Sequence, residues 1–477
     1  MSRLVAVSNR VGPLRGPGRA GGLAVALLEA LKLRGGLWFG WSGETSQGGD
    51  ARVQHEQEGP IHAATVDLST AELEEYYNGY SNRCLWPLFH FRTDLGTFDR
   101  RHYEGYRRVN RKFANLLAPL LKADDHLWVH DYHLLPFAEA LREHGAAQPI
   151  GFFLHIPFPM TELFTTLPQH GALVRSLFSY DLLGFQTEDD LLRFRDYVVR
   201  QAGGAVHGDH YTAYGRTLTA KAYPIGIDTR EMARQAASAP VQREVQKMRA
   251  TLRGRTQIIG VDRLDYTKGL VQRFQSMLRL LEDYPDTQGQ VELLQIAPTS
   301  RGELEGYTAI RKELESLAGH INGRFAQLDW TPIRYINRGV NRRALTALYR
   351  TSRIGLVTPM RDGMNLVAKE YVAAQDPADP GVLVLSQFAG AARQMQAALQ
   401  VNPYDAVAVS EAIQTARHMP LEERQTRHQQ LMQGLLRQDV AWWRESFLRD
   451  LASTRSLSKP PVLPSLVEEH APWTQAA

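Results

Sequence analysis

QIIGVDRLDYTKGLVQRFQSMLRLLEDY, residues 257–284, runs from a short apolar stretch through a charged turn into a segment with helical spacing. Its isoleucines and valine suit a buried pleated strand, and the apolar positions after Gly269 recur every three or four residues, as one face of a helix requires. Residues 353–373, RIGLVTPMRDGMNLVAKEYVA, repeat the order: a strand stops at Pro359, exposes Arg361 and Asp362, passes Gly363 and opens a helix. Strand, charged turn and helix form the unit of parallel α/β sheets, whose ligands gather beyond the carboxyl ends of the strands.

Working outward, the runs LVAVSN, LWFGWSG, HLWVHD, IGFFLHI, DLLGFQT, TAKAYPIG, QIIGVDRL, VELLQIAP, RIGLVTP and GVLVLS predict strands, with helices over 23–33, 191–201, 243–253 and 270–284 between them. Near-continuous apolar strands alternating with helices indicate α/β architecture, with parallel sheets covered on both faces. At 477 residues the chain exceeds what one core usually serves. The strand pattern pauses after YPIGIDT (223–229) and restarts at Gln257, which predicts two doubly wound domains, 1–229 and 230–440. The segment from Ser453, rich in proline and serine, is expected to be mobile.

Composition narrows the function. The 55 basic and 51 acidic residues leave a net charge of +4, interspersed rather than clustered, so small anionic ligands explain the excess as well as nucleic acid would. The single cysteine, Cys84, excludes an internal disulfide and suits a reducing compartment. No window reaches the roughly 18 uninterrupted apolar residues of a membrane span. A cytoplasmic protein is expected.

The charged strand ends carry the candidate chemistry. SNRVGPLRGPGRAGG (8–22) is a flexible loop with Arg10 at the strand end, where a guanidinium can hold a phosphate, although it matches neither a dinucleotide fingerprint nor a P-loop. VDRLDYTKG places Arg263 and Lys268 just before a helix, a pairing suited to a diphosphate. In TPMRDGMNLVAKE, Gly363 permits a tight turn in which the amides of Met364, Asn365, Leu366 and Val367 face an anion, while Asp362 and Glu370 face sugar hydroxyls. An ordinary capped surface turn is the alternative. VHDYH (129–133) and LHIPFP (154–159) gather His130, Asp131, His133 and His155; the absence of cysteine pairs and of any D-x-D argues against a metal centre. Seven arginines in residues 324–353, against Asp329 alone, read more simply as a solvated helix face than as an RNA site.

Taken together, GGLWFGWSG, YYNGYSNRCLWP, HDYHLLP, GFFLHIPFP, DLLGFQT, YPIGID, RLDYTKG, QIAPTSRG, TPMRDGMNLVAKEYVA and LSQFAGA resemble, in order from about residue 3 to 450, the trehalose-6-phosphate synthase family of retaining GT-B glycosyltransferases. The resemblance implies two Rossmann-like domains facing across a cleft, the acceptor on 1–229 and the nucleotide sugar on 230–440. It also implies a helix at 441–453 crossing back to the first domain and a mobile tail at 454–477. It implies transfer of glucose from UDP-glucose to the anomeric hydroxyl of glucose 6-phosphate, with no cofactor or metal. Arg10, Tyr77 and Arg301 would hold the acceptor phosphate, Trp86 would shape its site and Asp131 would touch its sugar. Gly21 and Gly22 would close over the donor, and His155 and Asp362 would contact the transferred glucose. Arg263 and Lys268 would bind the diphosphate and take part in catalysis with His155 and Asp131. The segment Gly363, Met364, Asn365, Leu366, Val367, Ala368, Lys369 and Glu370 would line the donor site, with Glu370 on the ribose. Val340 stands where relatives often carry a larger residue beside the base. The expected partners are the two small substrates and further copies of the chain, with neither nucleic acid nor membrane. A synthase using glycerol 3-phosphate, GDP-glucose or ADP-glucose, or a non-catalytic sugar-phosphate sensor, are the alternatives.

Overall fold

The computed structural model describes residues 2–14, 22–46, 52–299 and 305–454. Sixteen strands form among these: β1 (Leu4–Arg10), β2 (Gly36–Ser46), β3 (Val53–Glu58), β4 (Ile61–Ser69), β5 (His126–His130), β6 (Ile150–Phe153), β7 (Leu182–Phe185), β8 (Ala205–His207), β9 (His210–Ala213), β10 (Arg216–Ala222), β11 (Thr256–Val261), β12 (Val291–Ile296), β13 (Ile333–Ile336), β14 (Ile354–Val357), β15 (Val382–Ser386) and β16 (Leu399–Val401). They build two sheets. The first, ten-stranded, runs β3-β4-β2-β1-β5-β6-β7-β10-β9-β8, and the second, six-stranded, runs β13-β12-β11-β14-β15-β16.

All pairs in the second sheet are parallel, and in the first only the edge strands β3, β8 and β9 pair antiparallel. The second sheet therefore has the doubly wound order 3-2-1-4-5-6, and the parallel part of the first begins the same way. The molecule is α/β, with two doubly wound lobes. All ten strands expected from the sequence form. The six not foreseen, β3, β4, β8, β9, β13 and β16, lie at or next to sheet edges, where one open side tolerates polar residues such as those of VQHEQE in β3.

The chain crosses between the lobes twice, and the crossings lie side by side. A Cβ on Gly226 would fall 2.3 Å from the backbone carbon of Asp439, and the Val440 amide donates to the Ile227 carbonyl at 3.1 Å. Beyond the second crossing the helix Val440–Ser453 returns to the first sheet. Its Trp443 and Phe447 pack 4.7 and 5.1 Å from Trp128, and Phe447 fits because Gly151 and Gly184 leave room: a Cβ on either would approach its ring within 2.8 Å. One apolar cluster consequently runs from Leu4, Trp128 and Phe153 through Trp443 to Met364 and Ala368.

Candidate functional site

Among its parallel strands each sheet reverses order once, between β1 and β5 in the first lobe and between β11 and β14 in the second. A crevice opens beyond the carboxyl ends at such a point. Arg10 and Asp131 leave β1 and β5, while Arg263, Lys268 and Asp362 follow β11 and β14. Both crevices are thus marked by candidate residues.

On the second lobe, Lys268 Nζ donates to Asp362 Oδ2 at 2.6 Å, and Asn365 Nδ2 donates to the same oxygen at 3.1 Å. Asn365 adopts φ 78°, and its Oδ1 caps the helix Leu366–Ala374 by accepting from the Ala368 amide at 3.3 Å. The amides of Asn365, Leu366 and Val367 are left without intrahelical acceptors, which makes this terminus attractive to an anion. Gly269, at φ +65°, presses the Lys268 turn onto β14; a Cβ there would fall 2.2 Å from the Thr358 carbonyl oxygen. Behind the turn, the fully buried Arg273 donates to Asp262 at 2.7 Å, Gln295 at 2.8 Å and Thr358 at 3.1 Å, tying three strand ends together. Sequence reading missed Arg273, because a lone arginine in an amphipathic helix looks solvated.

Farther along this helix, Glu370 accepts from Tyr349 Oη at 3.4 Å, and burial raises its carboxyl above the usual range against the pull of Arg342. Lys369 points elsewhere. Its ammonium donates to the Ile225 carbonyl and to Gln394, each at 2.7 Å, and burial lowers it to about 7, so only its backbone faces the anion-binding end. Val340 is half-buried in the loop before the helix capped by Asn341.

Rings dominate the first-lobe wall. Arg10 lies 5.8 Å over Trp41, Trp41 packs 5.5 Å from Tyr77, and Tyr77 stacks on His133 at 5.8 Å. Tyr77 belongs to a π-helical stretch, Leu73–Leu85, that leads directly into the turn carrying Trp86. Asp131, at φ 77°, accepts from the His155 amide at 3.3 Å. The His155 ring meets His130 Nδ1 through Nε2 at 3.1 Å and Gln186 through Nδ1 at 3.5 Å. Burial holds both imidazoles neutral, with His155 lowered to about 3 and His130 well below its ordinary value. His130 is therefore partnered by a second histidine rather than by backbone.

The two walls meet. Arg263 of the second lobe lies 5.7 Å over the Trp86 ring of the first, and a Cβ on Gly363 would fall 2.1 Å from the His155 carbonyl oxygen. Arg263, Lys268, Asp362, Trp86 and His155 are thereby brought together at one cleft, with Arg10, Tyr77 and Asp131 along its first-lobe side. Gly22 opens the helix Gly22–Arg34, whereas Gly21 and Arg301 lie outside the described residues, as do 455–477. Among the described residues no group of three His, Cys, Asp or Glu side chains is arranged to hold a metal ion.

Comparison with known proteins places the chain. The model of glycosyltransferase family 20 matches residues 14–453. The chain is 51% identical over 452 residues to a trehalose-6-phosphate synthase of Citrobacter koseri, covering 94% of this chain and 95% of that protein. Among solved structures it is similar to a UDP-forming trehalose-phosphate synthase of Burkholderia xenovorans in complex with glucose-6-phosphate, at 52% identity and TM-score 0.92, covering 94% of this chain and all of that one. It is also similar to an E. coli protein bound with UDP-2-fluoro glucose, at 50% identity and TM-score 0.91, with coverage of 95% and 99%.

Proposed function

The chain belongs to glycosyltransferase family 20, and from that premise we propose that it moves glucose from UDP-glucose to the anomeric hydroxyl of glucose 6-phosphate with retention, giving trehalose 6-phosphate and UDP. The observation that carries this reading is the meeting of Arg263 and Lys268 with an open helix N-terminus across from Trp86 and His155. Residues 1–229 would supply the acceptor wall and 230–440 the donor wall, with 441–453 returning to the first lobe.

Cleavage of the sugar C1–O bond leaves negative charge on the departing diphosphate. Arg263 has no carboxylate within ion-pair distance among the described residues and is available to that charge, while Lys268 exchanges Asp362 for it. The Asp362 carboxylate then turns to sugar hydroxyls. Preorganised donors of this kind contribute roughly 3 to 4 kcal/mol each, which for two cations and the amides amounts to several decades in rate. The acceptor's C1 hydroxyl attacks from the face that the diphosphate leaves, its proton passing to the departing phosphate oxygen. Arg10 and Tyr77 hold the acceptor phosphate, Trp86 floors the sugar and Asp131 binds it. His155, with both ring nitrogens engaged by His130 and Gln186, lines the transferred glucose as a neutral ring and through its carbonyl.

The test is release of nucleoside diphosphate by the purified protein from UDP-, GDP- or ADP-glucose, with glucose 6-phosphate, glycerol 3-phosphate or no acceptor, in the presence of EDTA. Release from UDP-glucose with glucose 6-phosphate alone is expected. Binding of both without release would make the chain a sensor. Cytoplasmic residence and self-assembly belong to the same reading, and cell fractionation and light scattering test them; no helix among the described residues is long and apolar enough to cross a membrane.

A further inference from the structure

A second cavity, of about 400 Å3, opens between the lobes. Asp189, Asp190 and Arg193 line it from the first lobe and Arg361, Arg393 and Gln396 from the second. It shares Asp362 with the site above but none of Arg10, Tyr77, Trp86, Arg263, Lys268 or Glu370.

Two of its three guanidiniums are paired. Arg193 meets Asp190 at 2.9 Å, and Arg393 meets Asp189 across the lobes at 2.5 Å. Arg361 has no carboxylate within ion-pair distance among the described residues. Its guanidinium lies 3.7 Å over the ring of Phe91 and 5.9 Å from that of Phe388, so one ring from each lobe flanks it. Arg193 lies 5.7 Å over the same Phe91 ring, which brings two cations to one side chain. Phe91 holds this place at φ 63°, a conformation a bulky residue adopts only when its surroundings impose it. Burial, reinforced by Arg193, pushes Arg361 down to about 10. Asp190 and Asp189 lie near enough to attract this half-buried cation but are engaged by Arg193 and Arg393, so its charge is only partly met; an anion bound between Arg361 and Arg193 completes the compensation, and guanidiniums take phosphate oxygens in pairs.

We propose that this inter-lobe cavity is a second anion site, taking a small hydroxyl-bearing phosphate monoester with its phosphate between Arg361 and Arg193 and its hydroxyls toward Asp189 and Gln396. The cavity is of the size that small metabolites occupy. Because its walls come from both lobes, its occupant fixes their separation. This site adjoins the transfer site proposed above through Asp362, and its test does not depend on that reaction.

The experiment is calorimetric titration of the full chain carrying Arg10→Ala and Arg263→Ala, which removes cations of the first site, with inorganic phosphate and separately with glycerol 2-phosphate. Saturable binding of both is expected, tighter for glycerol 2-phosphate, and about tenfold weaker once Arg361→Gln is added. No saturable binding, or binding unchanged by Arg361→Gln, overturns the site. Equal affinity for the two probes overturns the monoester and leaves free phosphate as the occupant. Cooperative thermal unfolding certifies each protein, and Arg193→Gln is read in the same way if Arg361→Gln fails that control.

Discussion

At the second-lobe crevice the functional groups are formal charges and backbone amides, held at the ends of β11 and β14 by Arg273 and by glycines that let turns approach strands closely. At the first-lobe crevice they are rings, including Trp41, Tyr77, Trp86 and three histidines, with Arg10 the main cation. On the proposed function, the difference follows from what each wall would hold. Charge develops on a leaving diphosphate during reaction, so fixed cations and dipoles act on the rate. A sugar keeps its charge distribution and is held by stacking surfaces and hydrogen bonds, which act mainly on affinity.

The largest test of this contrast is removal of the cations. Arg263→Ala and Lys268→Ala should each lower kcat roughly a hundred- to a thousandfold, read as diphosphate release, and a Lys268→Ala enzyme near the normal rate would break the division of labour outright. Next comes the seam between the walls. Gly363→Ala drives a Cβ against the His155 carbonyl, so unfolding stability should fall by about 3 kcal/mol, or the cleft should splay and turnover drop, whereas Gly339→Ala, with open space around it, should change neither.

Histidines held neutral by burial give the first lobe a pH dependence. Burial pushes His155 down to about 3 and His90 down to about 4, and His130 well below its ordinary value. Above the unfolded-chain value of about 6.5 both states are neutral and stability is flat; as pH falls below it, only the unfolded chain takes up the protons, so stability declines until the folded values are reached. Urea unfolding at pH 5 should therefore show a loss of about 2 kcal/mol per such histidine relative to pH 7.5, and equal midpoints at the two values would show that these rings are not sealed. The smallest effect belongs to the aromatic wall: Tyr77→Phe should raise KM for glucose 6-phosphate several-fold, about 1 kcal/mol, and leave kcat nearly unchanged.

What could be read in advance divides along the same line. RLDYTKG and TPMRDGMN announce themselves because charge and glycine are unusual where a strand becomes a helix, and both do stand at switch points. Trp41 carried no such signal, since an aromatic residue in an apolar run reads as core. Lys369, which looked like part of the donor segment, is withdrawn by helical geometry to the opposite face, where it holds the Ile225 carbonyl. The edge strands β3, β8, β13 and β16 escaped because short or polar runs at sheet margins lack the apolar continuity of the interior strands.

The paired crossings at Gly226 and Asp439 have a mechanical consequence. Two lengths of backbone laid against each other pin the lobes along one line, the Val440–Ile227 hydrogen bond and the lack of room at Gly226 holding the crossings in one registry. A side chain at position 226 would prise the pin apart and let that registry wander.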